Sequence, residues 1–560
     1  MDKKNNNRPR ITRRGFIKEG AAIGLGATAM AGLGTQEANA QTPVRWDREA
    51  DVVIAGAGAS GLCAAISARD NGASVIAIDE NYDVGGHAMV SGGNIPLGGG
   101  TSLQKKYGIV DTADLVYLDH TDHRNPEYLH ADRDLVRIWA DENAATFEFL
   151  LENGVKFRDA APRILNRPNA NVPSGSVPRL FAGQVYSDNL NETIAGSPGS
   201  GVVRPLEKSA RTKGAEFLLR HKLTAIIREA PSSGRVLGIT ARFENRDVNI
   251  RARKAVIIAT GGHTSNVEFR RIFDPRLTEE YQVAGEPWSK QNGDGERLAM
   301  GLGASLWATG NQTTDGGSPI TKTRHIGCRY GYSNLKWDPE SPVFDRAGAS
   351  GLTVQNFQDV ILVNRVGLRF WNELDNSFAF YHACLGTNGN MGRSGEKGNG
   401  GGPIWAVFDA DAVAREKWDP KPPNVDPNGW FFTADTIAEL ARRIVNPYQY
   451  KPLPPAALEE TVAKYNSYVD MGKDVDFNKP TPMFKVQKPP FYAAWSTPIL
   501  HDTLTGLKIN GKCEVVDIHG QVIPNLFCAG ESAGGFGLHG LPRVTVFGRI
   551  AGREAARKQA

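Results

Sequence analysis

Apolar and polar positions alternate most sharply between residues 50 and 93. Ala50-Asp-Val-Val-Ile-Ala55 is an apolar run of strand length, followed by Gly56-Ala-Gly58-Ala-Ser-Gly61 and a helix-like stretch rich in small residues. A second apolar run, Val75-Ile-Ala-Ile-Asp79, ends in an acid 23 residues after Gly56. Strand, glycine turn, helix and strand in that order predict one βαβ unit of a parallel sheet. The glycines have separate physical tasks. The first permits a tight turn, the second lets backbone approach a pyrophosphate, and the third lets the helix pack close to the strand.

The same periodicity organises the rest. Residues 111–153 read as amphipathic helix, with Leu135, Ile138, Trp139, Phe147, Phe149 and Leu150 among acids and bases, and 159–205 read as an irregular Pro/Gly/Asn-rich excursion. A helix is expected over Leu206–Lys213. Alternating segments at Glu216–Ile227, Arg235–Glu244 and Val248–Arg253 then suggest a β-meander, and Ala255-Val-Ile-Ile-Ala259 a buried strand ending in Thr260-Gly261-Gly262. Asn292-Gly293-Asp294-Gly295 looks like a turn before a helix. Residues 305–494 change in character, with most of the tryptophans, a Gly-rich run at 386–402 and proline clusters at 419–427 and 447–455. They read as an inserted second domain. The chain then returns to its earlier style in Asn525–Gly535 and closes with a helix over Val544–Lys558. The expected organisation is therefore a leader at 1–40, a first domain at 41–304 resumed at 495–560, and an insert at 305–494.

Composition narrows the class. At 560 residues the chain exceeds a single core, and 40% hydrophobic with 22% charged residues describes a soluble globular enzyme. Thr12-Arg13-Arg14-Gly15-Phe16-Ile17-Lys18, an apolar stretch from Ala21 to Leu33, and Ala38-Asn39-Ala40 together read as a twin-arginine signal peptide. That stretch is too short and glycine-rich for a transmembrane helix. A periplasmic location follows, reached folded through the twin-arginine export machinery. Seven Lys/Arg against three acids give residues 1–40 a charge of +4, the same as the whole chain, so the remainder is near neutral. Nucleic-acid binding thus lacks an electrostatic footprint. The five cysteines are scattered without CxxC or CxxCH, so neither a metal site nor c-type haem is indicated, and no disulfide pair is selected. Cys63 and Cys528 look like small buried residues.

Five motifs in order carry a family resemblance: Gly56–Gly61 with Asp79; Gly85-Gly86 through Ser91-Gly92-Gly93; Ala259–Gly262; Gly293-Asp294-Gly295; and Ala529-Gly530-Glu531 with Phe547–Gly552. With Val363-Asn-Arg-Val-Gly367-Leu-Arg369-Phe370-Trp-Asn372-Glu373, the chain resembles the fumarate reductase/succinate dehydrogenase flavoprotein superfamily. That family includes soluble periplasmic fumarate and urocanate reductases and 3-ketosteroid dehydrogenases. The resemblance implies an α/β fold: a Rossmann-like FAD-binding domain, with parallel sheet and β-meander, and an inserted α+β capping domain. It implies FAD cradled at the pyrophosphate by Gly56, Gly58, Ala59, Ser60 and Gly61, with Asp79 and Glu80 toward the ribose. Gly85, Gly86, His87, Ser91, Gly92 and Gly93 would run beside the flavin. Thr260 and Gly261 would close over the phosphates, Asp294 would flank the flavin, Gly530 and Glu531 would meet the ribityl chain, and Gly540 and Leu541 the pyrimidine ring. Covalent attachment in the family uses a His that falls at Gly86, one position from His87, so non-covalent FAD is expected.

Against the dicarboxylate reductases the chain departs. Those enzymes need cations for two carboxylates and an Arg that delivers a proton. No Arg follows the signature in Leu374–His382, Asn311–Thr314 stand where a His is expected, and His501-Asp502-Thr503 resembles a His-His-Thr motif with its second His lost. Arg543 has two readings, as a substrate-binding group or as a structural residue at a helix start. Trp371, Phe378, Phe380, Tyr381, Phe491, Tyr492 and Trp495 suit a larger, less charged substrate. The preferred expectation is dehydrogenation of an apolar or cyclic ketone-like substrate, with Tyr381, Tyr492, His501 and Arg543 as catalytic candidates. Reduction of an unsaturated carboxylate is the alternative within enzymes, and an electron-transfer flavoprotein without its own substrate the alternative outside them. Either enzyme would need a separate redox partner, such as a periplasmic cytochrome or a quinone-linked protein.

Overall fold

The structure is a computed structural model that describes residues 44–122, 131–164, 177–186, 197–286, 288–308, 324–331, 344–375, 380, 383–384, 399, 402–537 and 540–560. The expected leader at 1–40, together with Asn311–Thr314, Phe378, Tyr381, His382 and most of the Gly-rich run, lies outside them.

Strand β1 (Arg48–Ala55) is buried from Val52 onward because it runs between two parallel partners. Helix α1 (Ala59–Asp70) leads to β2 (Val75–Asp79), which pairs with β1 so that Val53 faces Ile76. In place of one helix over 111–153 there are α2 (Ala113–Asp119) and α3 (Arg133–Glu152). Each starts anew at a cap: the Thr112 hydroxyl accepts from Leu115 N, and the Asp132 carboxylate from the amides of Asp134 and Leu135. Helix α4 (Ser200–Thr212) begins six residues before the expected start, with Pro205 inside it. Its buried Val202, Leu206 and Ala210, spaced by four, outweigh the breaker.

The expected segment Glu216–Ile227 breaks at Arg220, which has φ +59. β3 (Glu216–Leu219) extends the parallel sheet beside β2, whereas β4 (His221–Ala230), β5 (Ser233–Phe243) and β6 (Arg246–Ile258) form the antiparallel meander. Two separately expected strands, Val248–Arg253 and Ala255–Ala259, are one. The first part of β6 pairs antiparallel with β5, and its last residues continue in parallel beside β1, Val256 facing Val53. Helix α5 (Asp294–Met300) follows the glycine turn.

Between residues 305 and 495, β7 (Ile361–Asn364), β8 (Ile404–Phe408), β9 (Phe431–Ala434) and β10 (Phe491–Trp495) form a second sheet in the order β7-β8-β10-β9, all pairs antiparallel. Helix α6 (Pro455–Met471) covers one face. Strand β8 divides by the two-residue period: Ile404, Ala406 and Phe408 join one core, Trp405 and Val407 the other. A buried ionic cluster ties the 363–373 signature to the segment after α6. Arg369 donates to both oxygens of Glu373, at 2.7 and 2.8 Å, and to Asp474 at 2.9 Å. Burial would push the Glu373 carboxyl up, yet Arg369 and Lys479 beside it hold it down at about 2.

The chain then rejoins the first sheet through β11 (Glu514–Val516) and β12 (Val522–Cys528), completing the order β11-β12-β6-β1-β2-β3, and ends in α7 (Leu541–Ala556). All five cysteines are free and buried, and burial drives the thiols of Cys63 and Cys328 up to about 12. Among the described residues no helix is long and apolar enough to cross a membrane.

Helices α7 and α1 meet at glycine. A Cβ on Gly548 would stand 2.4 Å from Ser60 O, and one on Gly552 2.2 Å from Ala64 O. Gly552→Ala is therefore expected to destabilise the protein by on the order of 2 kcal/mol through overpacking. Thermal unfolding checks this, and an unchanged melting temperature would contradict the packing argument.

Candidate active site

A cavity of about 460 Å³ opens where the loops at the ends of β1, β2, β6 and β12 converge on the starts of α1 and α7. Its first wall is the turn after β1. Gly56 has φ +107, and a Cβ there would stand 2.1 Å from Ala259 O, so only glycine brings the two loops together. Gly58 caps α1 without a side chain, leaving amides of the first turn facing the cavity. The Ser60 hydroxyl is buried beside them without a hydrogen-bond partner among the described residues. Free amides, a positive helix end and an orphaned hydroxyl fit a pyrophosphate.

At the end of β2, Asp79 accepts from Ala57 N at 2.7 Å and from Asn81 N at 2.9 Å. Burial nevertheless raises its carboxyl to about 6. Glu80 beside it pairs with Lys222 at 2.8 Å, and Lys222 reaches Asp294 at 2.6 Å. This bridge from β4 joins two acids that sequence motifs had placed separately. Lys222 was not foreseen, because its β4 position carries no motif.

The opposite walls are tied by side chains. His87 Nε2 meets Ser289 O at 2.9 Å, burial depresses the pKa of its ring, and Trp288 Nε1 donates to Gly86 O at 3.1 Å. Gln291 donates to the Glu531 carboxylate and accepts from the Thr264 hydroxyl. Ser532 Oγ donates to Gly261 O at 2.7 Å. The residues Trp288 to Asn292 line the cavity without having been foreseen; their only signal is that they immediately precede Gly293-Asp294-Gly295.

Of the expected cofactor residues, Gly56, Gly58, Ala59, Ser60, Asp79, Glu80, Gly85, Gly86, His87, Ser91, Thr260, Gly261, Asp294, Gly530, Glu531, Gly540 and Leu541 line this one cavity. Gly61, Gly92 and Gly93 are not among its lining. Gly61 packs instead on the turn itself, where a Cβ would stand 1.9 Å from Gly56 O. The catalytic candidates separate. His501 lines the cavity with Asp502. Tyr492 does not; it lies on β10, its ring stacked on Phe408 at 5.3 Å in the core of the second sheet. Arg543 is buried behind the wall, donating to Thr503 O, Gly530 O and Ala533 O. That is the geometry of its structural reading. Tyr381 is outside the described residues.

The fold and this cavity define a flavoprotein oxidoreductase of the dinucleotide-binding class. Residues 51–544 match the family model of the FAD binding domain, and the chain belongs to that family, within the fumarate reductase/succinate dehydrogenase flavoprotein superfamily. Its cofactor is FAD, and it acts on CH–CH or C=C bonds. The chain is 28% identical to the fumarate reductase (cytochrome) of Shewanella frigidimarina over 522 residues, covering 90% of this chain and 77% of that protein. It is 28% identical to the acrylate reductase flavoprotein subunit of Shewanella woodyi over 562 residues, covering 96% and 95%. The solved 3-ketosteroid-Δ4-(5α)-dehydrogenase of Rhodococcus jostii shares the fold at TM-score 0.58 and 24% identity, covering 93% of this chain and 99% of that one.

Asp79 gives a pH prediction. Ribose hydroxyls held by Asp79 would donate to its ionised carboxylate, so binding would favour the deprotonated form. FAD affinity of the apoprotein should be full above about pH 6 and fall by up to tenfold per unit below it. Asp79→Asn should flatten the profile. Fluorescence titration of FAD measures both, and a wild-type affinity that is constant through this range would contradict the assignment.

Proposed function

We propose that the protein is a periplasmic FAD-dependent reductase of a carbon–carbon double bond activated by a neighbouring carboxylate, drawing electrons from a separate redox protein such as a periplasmic cytochrome. Residues 305–494 serve as its capping domain. The observation that carries this reading is the chemistry of the cavity wall. His501, Lys290 and Arg346 line it, and no tyrosine does so among the described residues. A ketone dehydrogenase working through phenols would need the reverse. The names of the two relatives, both reductases, support the same direction, whereas the likeness to the ketosteroid enzyme supports the fold alone.

Bound FAD supplies a hydride from its N5 atom. The protein's own residues do the rest. The glycine turn and Ser60 hold the pyrophosphate, Asp79 orients the ribose, and His87, kept neutral by burial and held on Ser289 O, adds no charge beside the ring. His501 Nδ1 stands 3.8 Å from Asp502 Oδ1, a pair able to hold and pass the proton that balances the hydride.

Anaerobic assay of the purified holoenzyme with reduced viologen tests the proposal. Dye oxidation is expected with at least one of acrylate, cinnamate, urocanate and fumarate. Dye that stays reduced with all four, while a cyclic ketone bleaches the flavin, would return the dehydrogenase reading.

A further inference from the structure

We propose that Arg346, carried into the cofactor cavity by the segment 305–494, is the side chain that binds the acidic group of the substrate. The inference rests on the proposed function above and names the residue that would give it specificity.

Arg346 sits on the helical turn Phe344–Ala347. Among the described residues it is the one member of 305–494 that lines the cavity, so it marks where the insert reaches the cofactor domain. Its side chain is exposed and makes no hydrogen bond or ion pair with a described residue. Two other cations, one at this wall and one behind it, are committed. Lys222 is held between Glu80 and Asp294, and Arg543 is occupied by backbone carbonyls. Lys290 is the remaining cation, on the exposed loop before Gln291.

The groups around Arg346 favour an anion. The Arg346 charge acts on Tyr82, Tyr330 and Glu286, and burial raises the pKa of Glu286, which weakens its competing negative charge. A guanidinium offers a planar fork of N–H donors that matches the two oxygens of a carboxylate. A neutral ketone would leave the guanidinium charge uncompensated once water is excluded. The FAD pyrophosphate has its own donors at Gly58 and Ser60, on the first turn of α1.

The test uses the holoenzyme and its Arg346→Ala and Arg346→Lys variants. One readout is the perturbation of the flavin absorption spectrum by propanoate and by propanamide, which requires no turnover. The second is KM and kcat for acrylate and acrylamide with reduced viologen. Arg346→Ala should weaken propanoate and raise the acrylate KM by roughly tenfold or more, leaving the amides within about twofold. Arg346→Lys should recover part of the loss. FAD content and apoprotein FAD affinity should stay at the wild-type level. Equal losses for acid and amide, or a loss confined to FAD affinity, would overturn the assignment. So would an acid affinity unchanged by Arg346→Ala. If wild-type enzyme reduces acrylate and Arg346→Ala does so equally well, this inference falls while the proposed function stands. If the wild type neither binds nor reduces any acid, both fall.

Discussion

At the end of β1 the main chain turns so tightly that neighbouring backbones nearly touch. A Cβ on Gly56 would stand 2.1 Å from Ala259 O, and one on Gly61 1.9 Å from Gly56 O. This approach needs β1 locked between β2 and β6, and the parallel registers on both sides provide that lock. It brings the first turn of α1 and the loop after β6 to one place. The same closeness recurs where α7 crosses α1 at Gly548 and Gly552, carrying Gly540 and Leu541 to the cavity rim. Side chains larger than hydrogen at these points would separate the walls that a dinucleotide must touch together.

The second sheet depends on a different constraint. Arg369, Glu373, Asp474 and Lys479 are buried together, and such a cluster is stable only while every member is present. Lys479 also donates to Phe357 O and Val360 O, which fixes the strand that follows. The RF-x-NE stretch is thus an internal clamp of the second sheet. Its arginine points into the protein and is unavailable to a substrate, while Arg346, on a plain surface turn, reaches the cavity.

Much of the fold was legible because its signals are local. Buried parallel strands read as unbroken apolar runs, and the glycine turn has a fixed spacing, so β1, α1 and β2 were foreseen as one unit. The start of α4 was not, because Pro205 reads as a stop while the burial of Val202 depends on a distant partner. The continuity of β6 was also hidden, since its two halves have different neighbours. In the cavity, residues within glycine motifs could be read from the chain. Lys222 and Arg346 could not, because each reaches the cavity from a segment whose own sequence has no bearing on it. Tyr492 shows the converse: an aromatic residue suited to chemistry by type lies in a core, stacked on Phe408.

The five buried thiols have a consequence for where the protein can be assembled. With every sulfur enclosed and none cross-linked, the covalent structure is the same under reducing and oxidising conditions. Folding and cofactor loading can therefore be completed in a reducing or an oxidising compartment alike. The native state has no disulfide left to make and no thiol exposed to an oxidant.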